Sequence, residues 1–193
     1  MNFARKAFAA AAFAVVSASA SATLITFDDI VADPYGSPIA NGYAGLDWDN
    51  FYALPGLGAY TTSPGYGNAV VSQLNTAFNG FANPATFSSS TGFSLMSLYV
   101  TKAWNDGTTH FDGYVNNVLT YSMDVYSTTA GPTYVTFSGW NNLSKVVMSD
   151  GDGSAQSAVD NISINAVPEP ETYAMLVAGL AMLGFAARRK QQG

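Results

Sequence analysis

The chain has no cysteine and a single histidine among 193 residues, and only 10% of its residues are charged. Without cysteine there is no disulfide to staple the fold and no thiolate for redox or nucleophilic chemistry. With one histidine and no cysteine, the usual zinc donor sets cannot be assembled. Positive charge is scarce in the middle of the chain. Between residues 23 and 166 the only cations are Lys102 and Lys145, set against eleven aspartates and no glutamate, a formal charge of −9. Such a stretch repels phosphate backbones, so nucleic acid is excluded as a partner. Long apolar runs are confined to the two ends, and nothing between them keeps a helical period.

The ends are therefore informative. At the N-terminus Arg5 and Lys6 precede an apolar run from Ala7 to Val16, followed by small residues with alanine at alternate positions. This three-part layout predicts a secretory signal peptide over residues 1–22, cut after Ala22, and with it the Sec export machinery as a partner. At the C-terminus Val167, Pro168, Glu169 and Pro170 precede an uncharged run over residues 172–187, and Arg188, Arg189 and Lys190 follow at once. As a helix that run is about 24 Å long at about 1.5 Å per residue. It falls slightly short of a roughly 30 Å hydrocarbon core, a mismatch that thinning and snorkelling accommodate. The reading is a transmembrane helix over 172–187 with a basic tail at 188–193, held on the cytoplasmic side by the positive-inside bias while residues 23–166 lie outside. The prolines make 167–171 an extended joint.

The stretch "VPEPETYAMLVAGLAMLGFAARRK" resembles the PEP-CTERM sorting signal of Gram-negative bacteria in its Val167–Pro170 motif, single hydrophobic span and basic end. The resemblance implies recognition by a membrane-embedded exosortase and delivery to the cell surface or its exopolysaccharide layer. Retained as a plain anchor, the same tail would hold the protein in the membrane instead.

Residues 23–166 read as one all-β domain. "VLTYSMDVYS" alternates Leu119, Tyr121, Met123 and Val125 with Thr120, Ser122 and Asp124, the period of a half-buried strand. Similar runs recur at "TLITF", "FSLMSLYV", "THFDGYV", "TYVTFSGW", "SKVVMSD" and "AVDNISIN", separated by Gly, Pro, Asn and Asp turns. Many short strands at close intervals predict a β-sandwich of jelly-roll type, with Asn41–Asn83 as longer loops and edge strands. "ITFDDI", "NGYAGLDWDNFY" and "AVDNISIN" resemble the layout of galactose-binding-like carbohydrate-binding modules. That likeness implies neighbouring first and last strands, and a structural calcium ion on Asp28, Asp29, Asp160 and Asn161, oxygen donors of the hard type that calcium prefers. Turn capping and a strand-edge position account for the same residues without an ion. "DGDGS" from Asp150 to Ser154 is no EF-hand, because its sixth position is Ala155 and its twelfth Asn161.

Enzyme signatures are missing. His110 falls beside Asp112 on one strand face, but no G-x-S-x-G or other nucleophile motif accompanies it. The absence of glutamate leaves only short-armed aspartates for a glycosidase pair. No Gly-rich loop ends in a lysine that could hold a nucleotide phosphate. The expectation is a non-catalytic protein. Its aromatic residues suggest binding: Tyr43, Trp48, Phe51, Tyr52, Tyr60 and Tyr66 crowd a Gly- and Pro-rich region, and Trp104 and Trp140 sit at turns. Such rings either fill a core or stack on sugars, and Trp48 and Tyr52, flanked by Asp47, Asp49 and Asn50, are the candidates for a glycan contact. Three functions follow: association with extracellular polysaccharide, structural self-association at the surface, or an unrecognised hydrolase activity.

Overall fold

A computed structural model describes residues 22–56, 63–150, 155–166 and 177–181. The expected signal peptide, apart from Ala22, lies outside the described residues. So do the Val167–Pro170 motif, the basic residues Arg188, Arg189 and Lys190, Tyr60, and the turn at 151–154. Of the expected transmembrane run only 177–181 is described, and it is helical. Among the described residues no helix is long and apolar enough to cross a membrane.

The described body is β-rich. Its strands are β1 (Ala22–Ile25), β2 (Ser37–Pro38), β3 (Asp47–Asp49), β4 (Phe51–Pro55), β5 (Asn75–Asn79), β6 (Ala85–Lys102), β7 (Gly107–Val115), β8 (Val118–Ser127), β9 (Thr133–Thr136), β10 (Leu143–Asp150) and β11 (Ser157–Ala166). A six-residue helix, α1 (Pro64–Ala69), interrupts them. All pairings are antiparallel within one 11-stranded network. Every run that alternates in the sequence forms a strand, because period two is what a strand with one buried face requires.

β6 connects two groups of strands. Its first part lies between β3 and β10, with Phe87 opposite both Trp48 and Val146. Its last part lies between β9 and β11, with Tyr99 opposite both Tyr134 and Asp160. Between them the strand passes through Gly92 at φ 83°, where a Cβ would be strained. β7 and β8 extend the first group beyond β10. In the second group the far edge of β11 carries β5 at Ala158 and Val159, then β1 from Ile162 to Asn165. The register slips between Asp160 and Ser163, where Asn161 takes φ 50°, so β11 bulges as it changes neighbours. One buried cluster draws on both groups: Phe87, Phe111, Val146 and Met148 from the first, and Leu95, Val100, Val159, Ile162 and Ile164 from the second.

The stretch 41–83, expected as longer loops and edge strands, contributes β3, β4 and β5, of which β5 lies between β4 and β11 rather than at an edge. β5 is buried along its whole length although its sequence is NTAFN. Its polar side chains bond to neighbouring main chain: Asn75 Nδ2 donates to Phe27 O and Ile30 O, Thr76 Oγ1 to Val159 O, and Asn79 Oδ1 accepts from Ser157 N–H. A buried strand built this way shows no apolar alternation. α1 likewise depends on packing rather than propensity. Gly65 lies so close to β6 that a Cβ would stand 1.8 Å from Lys102 O.

Candidate functional site: an aromatic cleft

β4 and β5 pair so that Tyr52 stands opposite Phe78, with ring centroids 5.7 Å apart. Tyr66 of α1 meets Phe78 edge-on at 5.2 Å and Trp104 edge-on at 5.9 Å. Phe81 meets Tyr52 edge-on at 6.2 Å. With Tyr35 these rings border an open cleft of ≈ 430 Å³. Its floor rests on a second buried cluster formed by Leu54, Tyr66, Ala69, Phe78, Ala103 and Ala158.

Two glycines keep the cleft open. A Cβ on Gly36 would lie 2.9 Å from the Phe78 ring, and one on Gly80 would lie 2.5 Å from the Tyr52 ring. Gly36 also takes φ 97°, which glycine adopts without penalty. The rim is polar at one point. Trp104 Nε1 donates to Gln156 Oε1 at 3.0 Å, while Gln156 Nε2 donates to Asn79 O.

Phe81 is 80% exposed and Trp104 46%. Phe81 is displayed by an unusual backbone: it and Ala82 take φ 56° and 58° in the 3₁₀ turn Gly80–Ala82, a conformation that costs an L-residue of order 1 kcal/mol or more. Asn50, itself at φ 56°, clamps the turn. Its Nδ2 donates to the carbonyls of Gly80, Asn83 and Pro84, and its carbonyl accepts from Gly80 N–H.

The two residues expected to contact a glycan part company. Tyr52 lines the cleft. Trp48 does not: it is 5% exposed, and its ring packs within 6 Å of Phe27, Phe51 and Phe87. Its indole N–H donates to Tyr43 O. The correction follows from strand alternation, for Asp47 and Asp49 are exposed on either side and turn Trp48 inward. Phe81 and Tyr35 were missed, because nothing in their local sequence marks them as cleft residues.

Asp28 and Asp160 do come together, as expected, on the hydroxyl of Ser72, which lies 2.8 Å from Asp28 Oδ1 and 3.0 Å from Asp160 Oδ2. Their oxygens are already engaged. Asp28 accepts from the N–H groups of Gln73, Leu74 and Asn75, and Asp160 from those of Val71, Ser72 and Asn161. Asp29 instead accepts from the Tyr43 hydroxyl at 2.6 Å. Asn161 Oδ1 is buried without a hydrogen-bond partner among the described residues. Among those residues no group of three His, Cys, Asp or Glu side chains is placed to hold a metal. The donor set thus does not fit the expected calcium ion, and the carboxylates act as a clasp on residues 71–75. Burial raises the Asp28 pKa, but the four hydrogen bonds outweigh it and hold the carboxyl below its ordinary value. At Asp160 burial dominates over the hydrogen bonds and the pKa is raised.

His110 lies on the outer face of the β7–β8 hairpin. Nδ1 meets Asp124 Oδ1 at 2.5 Å, and Nε2 meets Asp112 Oδ1 at 3.0 Å and Ser122 Oγ at 3.1 Å. The hydrogen bond to Asp124 leads the causes that raise its pKa, burial opposes it, and the charge of Asp112 adds to the rise. An imidazole held between two carboxylates favours its charged form and is a poor base for Ser122.

The family model for the PEP-CTERM protein-sorting motif matches residues 166–190. No curated protein matches the chain. The tail therefore carries the address of an exported precursor sorted by exosortase, and its first matched residue, Ala166, is the last residue of β11.

Proposed function

We propose that this chain is a non-catalytic surface protein of a Gram-negative bacterium whose β domain holds extracellular polysaccharide in the aromatic cleft. In this reading the two strand groups joined by β6 are the layers of a β-sandwich, comparable in kind to carbohydrate-binding modules. The sorting motif supports delivery to the surface. The observation that carries the binding reading is the exposure of Phe81 and Trp104 beside Tyr52, flat apolar faces around an open cleft. Sugar rings present C–H faces that stack on such rings, and Gln156 and main-chain groups at the rim serve hydroxyls. A glycan array with the exported protein tests this. Binding that Trp104→Ala weakens supports the reading, and no binding to any glycan overturns it.

Self-association is the second reading. β8 ends the strand order and exposes Val118, Leu119 and Tyr126, and an exposed edge strand is a template for pairing. Sedimentation of the exported protein as a concentration-dependent oligomer, abolished by Leu119→Lys, would favour it.

A further inference from the structure

Lys102 ends β6 and is 1% exposed. Its ammonium pairs with the carboxylate of Asp150, the last residue of β10, both side chains being sealed from solvent. Ser157 Oγ donates to Asp150 Oδ1 at 2.9 Å. Thr109 Oγ1 lies 2.6 Å from Ser157 Oγ. Ser157 has one proton and gives it to Asp150, so Thr109 is the donor in that pair. The hydroxyl relay converges on Oδ1 alone. Among the described residues Asp150 Oδ2 is buried and has no hydrogen-bond partner.

As a permanent ion pair this arrangement is poor. Taking two charges out of water is costly, and the attraction offsets it only when the remaining lone pairs are satisfied. Oδ2 is not. We propose that Lys102 and Asp150 condense into an intramolecular isopeptide bond, a covalent staple between β6 and β10 in a chain that has no cysteine.

The step balances without any co-reactant. As Nζ swings from Oδ1, where it is paired, to face Cγ, it gives one proton to Oδ2, leaving a neutral amine over a carboxylic acid. The amine lone pair attacks Cγ, and the charge that develops falls on Oδ1, where the Ser157 hydroxyl, backed by Thr109, already donates. The tetrahedral centre collapses with loss of Oδ2, which takes a second proton from the nitrogen and leaves as water. The third ammonium proton stays as the amide N–H. The fold holds the Lys102 ammonium against the Asp150 carboxylate, which replaces a bimolecular encounter with an intramolecular one. Exclusion of water then protects the amide.

The sequence makes the test simple, because Lys102 and Lys145 are the only tryptic sites between residues 23 and 166. The intact mass of the purified full chain should be one water below that of its sequence. Exhaustive trypsin on the denatured protein should cut after Lys145 but not after acylated Lys102, leaving the segments that contain Lys102 and Asp150 joined. Lys102→Arg should restore the full mass and separate the segments. Ser157→Ala should slow formation of the bond by roughly a hundredfold, the cost of one oxyanion donor. Wild-type protein of full sequence mass, cut after both lysines, overturns the proposal whether or not any variant folds. A Ser157→Ala chain that links as fast as wild type overturns the relay.

Discussion

Trp48 and Tyr52 stand close together in the chain, yet the aromatic clusters around them have opposite fates. Around Trp48, the rings of Phe27, Phe51 and Phe87 close into the core. Around Tyr52, the rings of Phe81 and Trp104 stay open to solvent. Composition does not distinguish them; the backbone does. Trp48 is the middle residue of a strand whose neighbours are exposed aspartates, so alternation turns it inward. Phe81 sits on a left-handed turn that Asn50 fastens from below, and this turns it outward. One cluster is closed into the core, and the other is left open to solvent.

Breaking the first cluster should produce the largest effect. Trp48→Ala removes a buried ring and the donor to Tyr43 O, and emptied aromatic core sites cost about 3 to 5 kcal/mol. Urea unfolding should show that loss, while the molecules that remain folded keep their affinity in the cleft. A variant as stable as wild type would place Trp48 outside the core and dissolve the contrast.

The clasp between Asp28 and Asp160 comes next. Asp28→Ala strands the N–H donors of Gln73, Leu74 and Asn75, at about 1 to 3 kcal/mol, while the Ser72 hydroxyl keeps Asp160. Its pH signature is fixed by sign. Asp28 has a folded pKa below 3.8, so its stabilisation is present above pH 3.8 and lost as pH falls through the folded value. Asp160 has a folded pKa above 3.8, so its contribution is complete below 3.8 and is lost as pH rises through the folded value. Asp28→Ala should therefore flatten the acid limb of the stability profile, and Asp160→Asn should steepen it. With both carboxylates engaged by N–H groups, millimolar calcium and a chelator should give the same melting midpoint. A rise with calcium would restore the ion.

These residues show how much the sequence discloses. The alternating runs at 109–115 and 118–127 announced β7 and β8 because each strand has one wet face. β5 was hidden because NTAFN is buried on both faces and satisfies its polar side chains on neighbouring backbone. Gly45, Pro55 and Gly56 around Trp48 suggest a loop, and hence a glycan contact; as the middle of the strand Asp47–Asp49 it turns inward. The meeting of Asp28 and Asp160 at Ser72 was expected only from the resemblance to galactose-binding-like modules, and their hydrogen bonds to residues 71–75 were not visible along the chain. The cleft was least legible. Tyr52, Tyr66, Phe81 and Trp104 come from four segments that meet only through the β4–β5 pairing and the packing of α1, and nothing about phenylalanine encodes a positive φ.

Within the cleft, Trp104→Ala should lower glycan affinity about fivefold, the worth of one stacked ring at about 1 kcal/mol. Its stability cost should stay near or below that figure, since the ring is only half covered. Isothermal titration and thermal melting on the same preparation separate the two quantities. A cost in stability of the size expected for Trp48, with affinity unchanged, would move Trp104 into the first cluster and leave the cleft without its largest face.

The smallest effect gives the finest test, because it separates the ring of Phe81 from the backbone that displays it. Phe81→Ala removes the ring and keeps an L-residue at φ 56°. Phe81→Gly removes the same ring and also relieves the backbone, since glycine occupies the left-handed region freely. At 80% exposure the ring itself adds little to folding. If Phe81 is there for contact, both variants should lose the same few-fold affinity. The glycine variant should nonetheless be more stable than the alanine variant by about 1 kcal/mol, the order of the left-handed penalty, less the entropy that glycine adds to the unfolded chain. Equal stabilities would mean that the turn relaxes once the ring is gone. Phe81 would then be held in place by its edge-on contact with Tyr52, and the clamp from Asn50 would lose its role in presenting it.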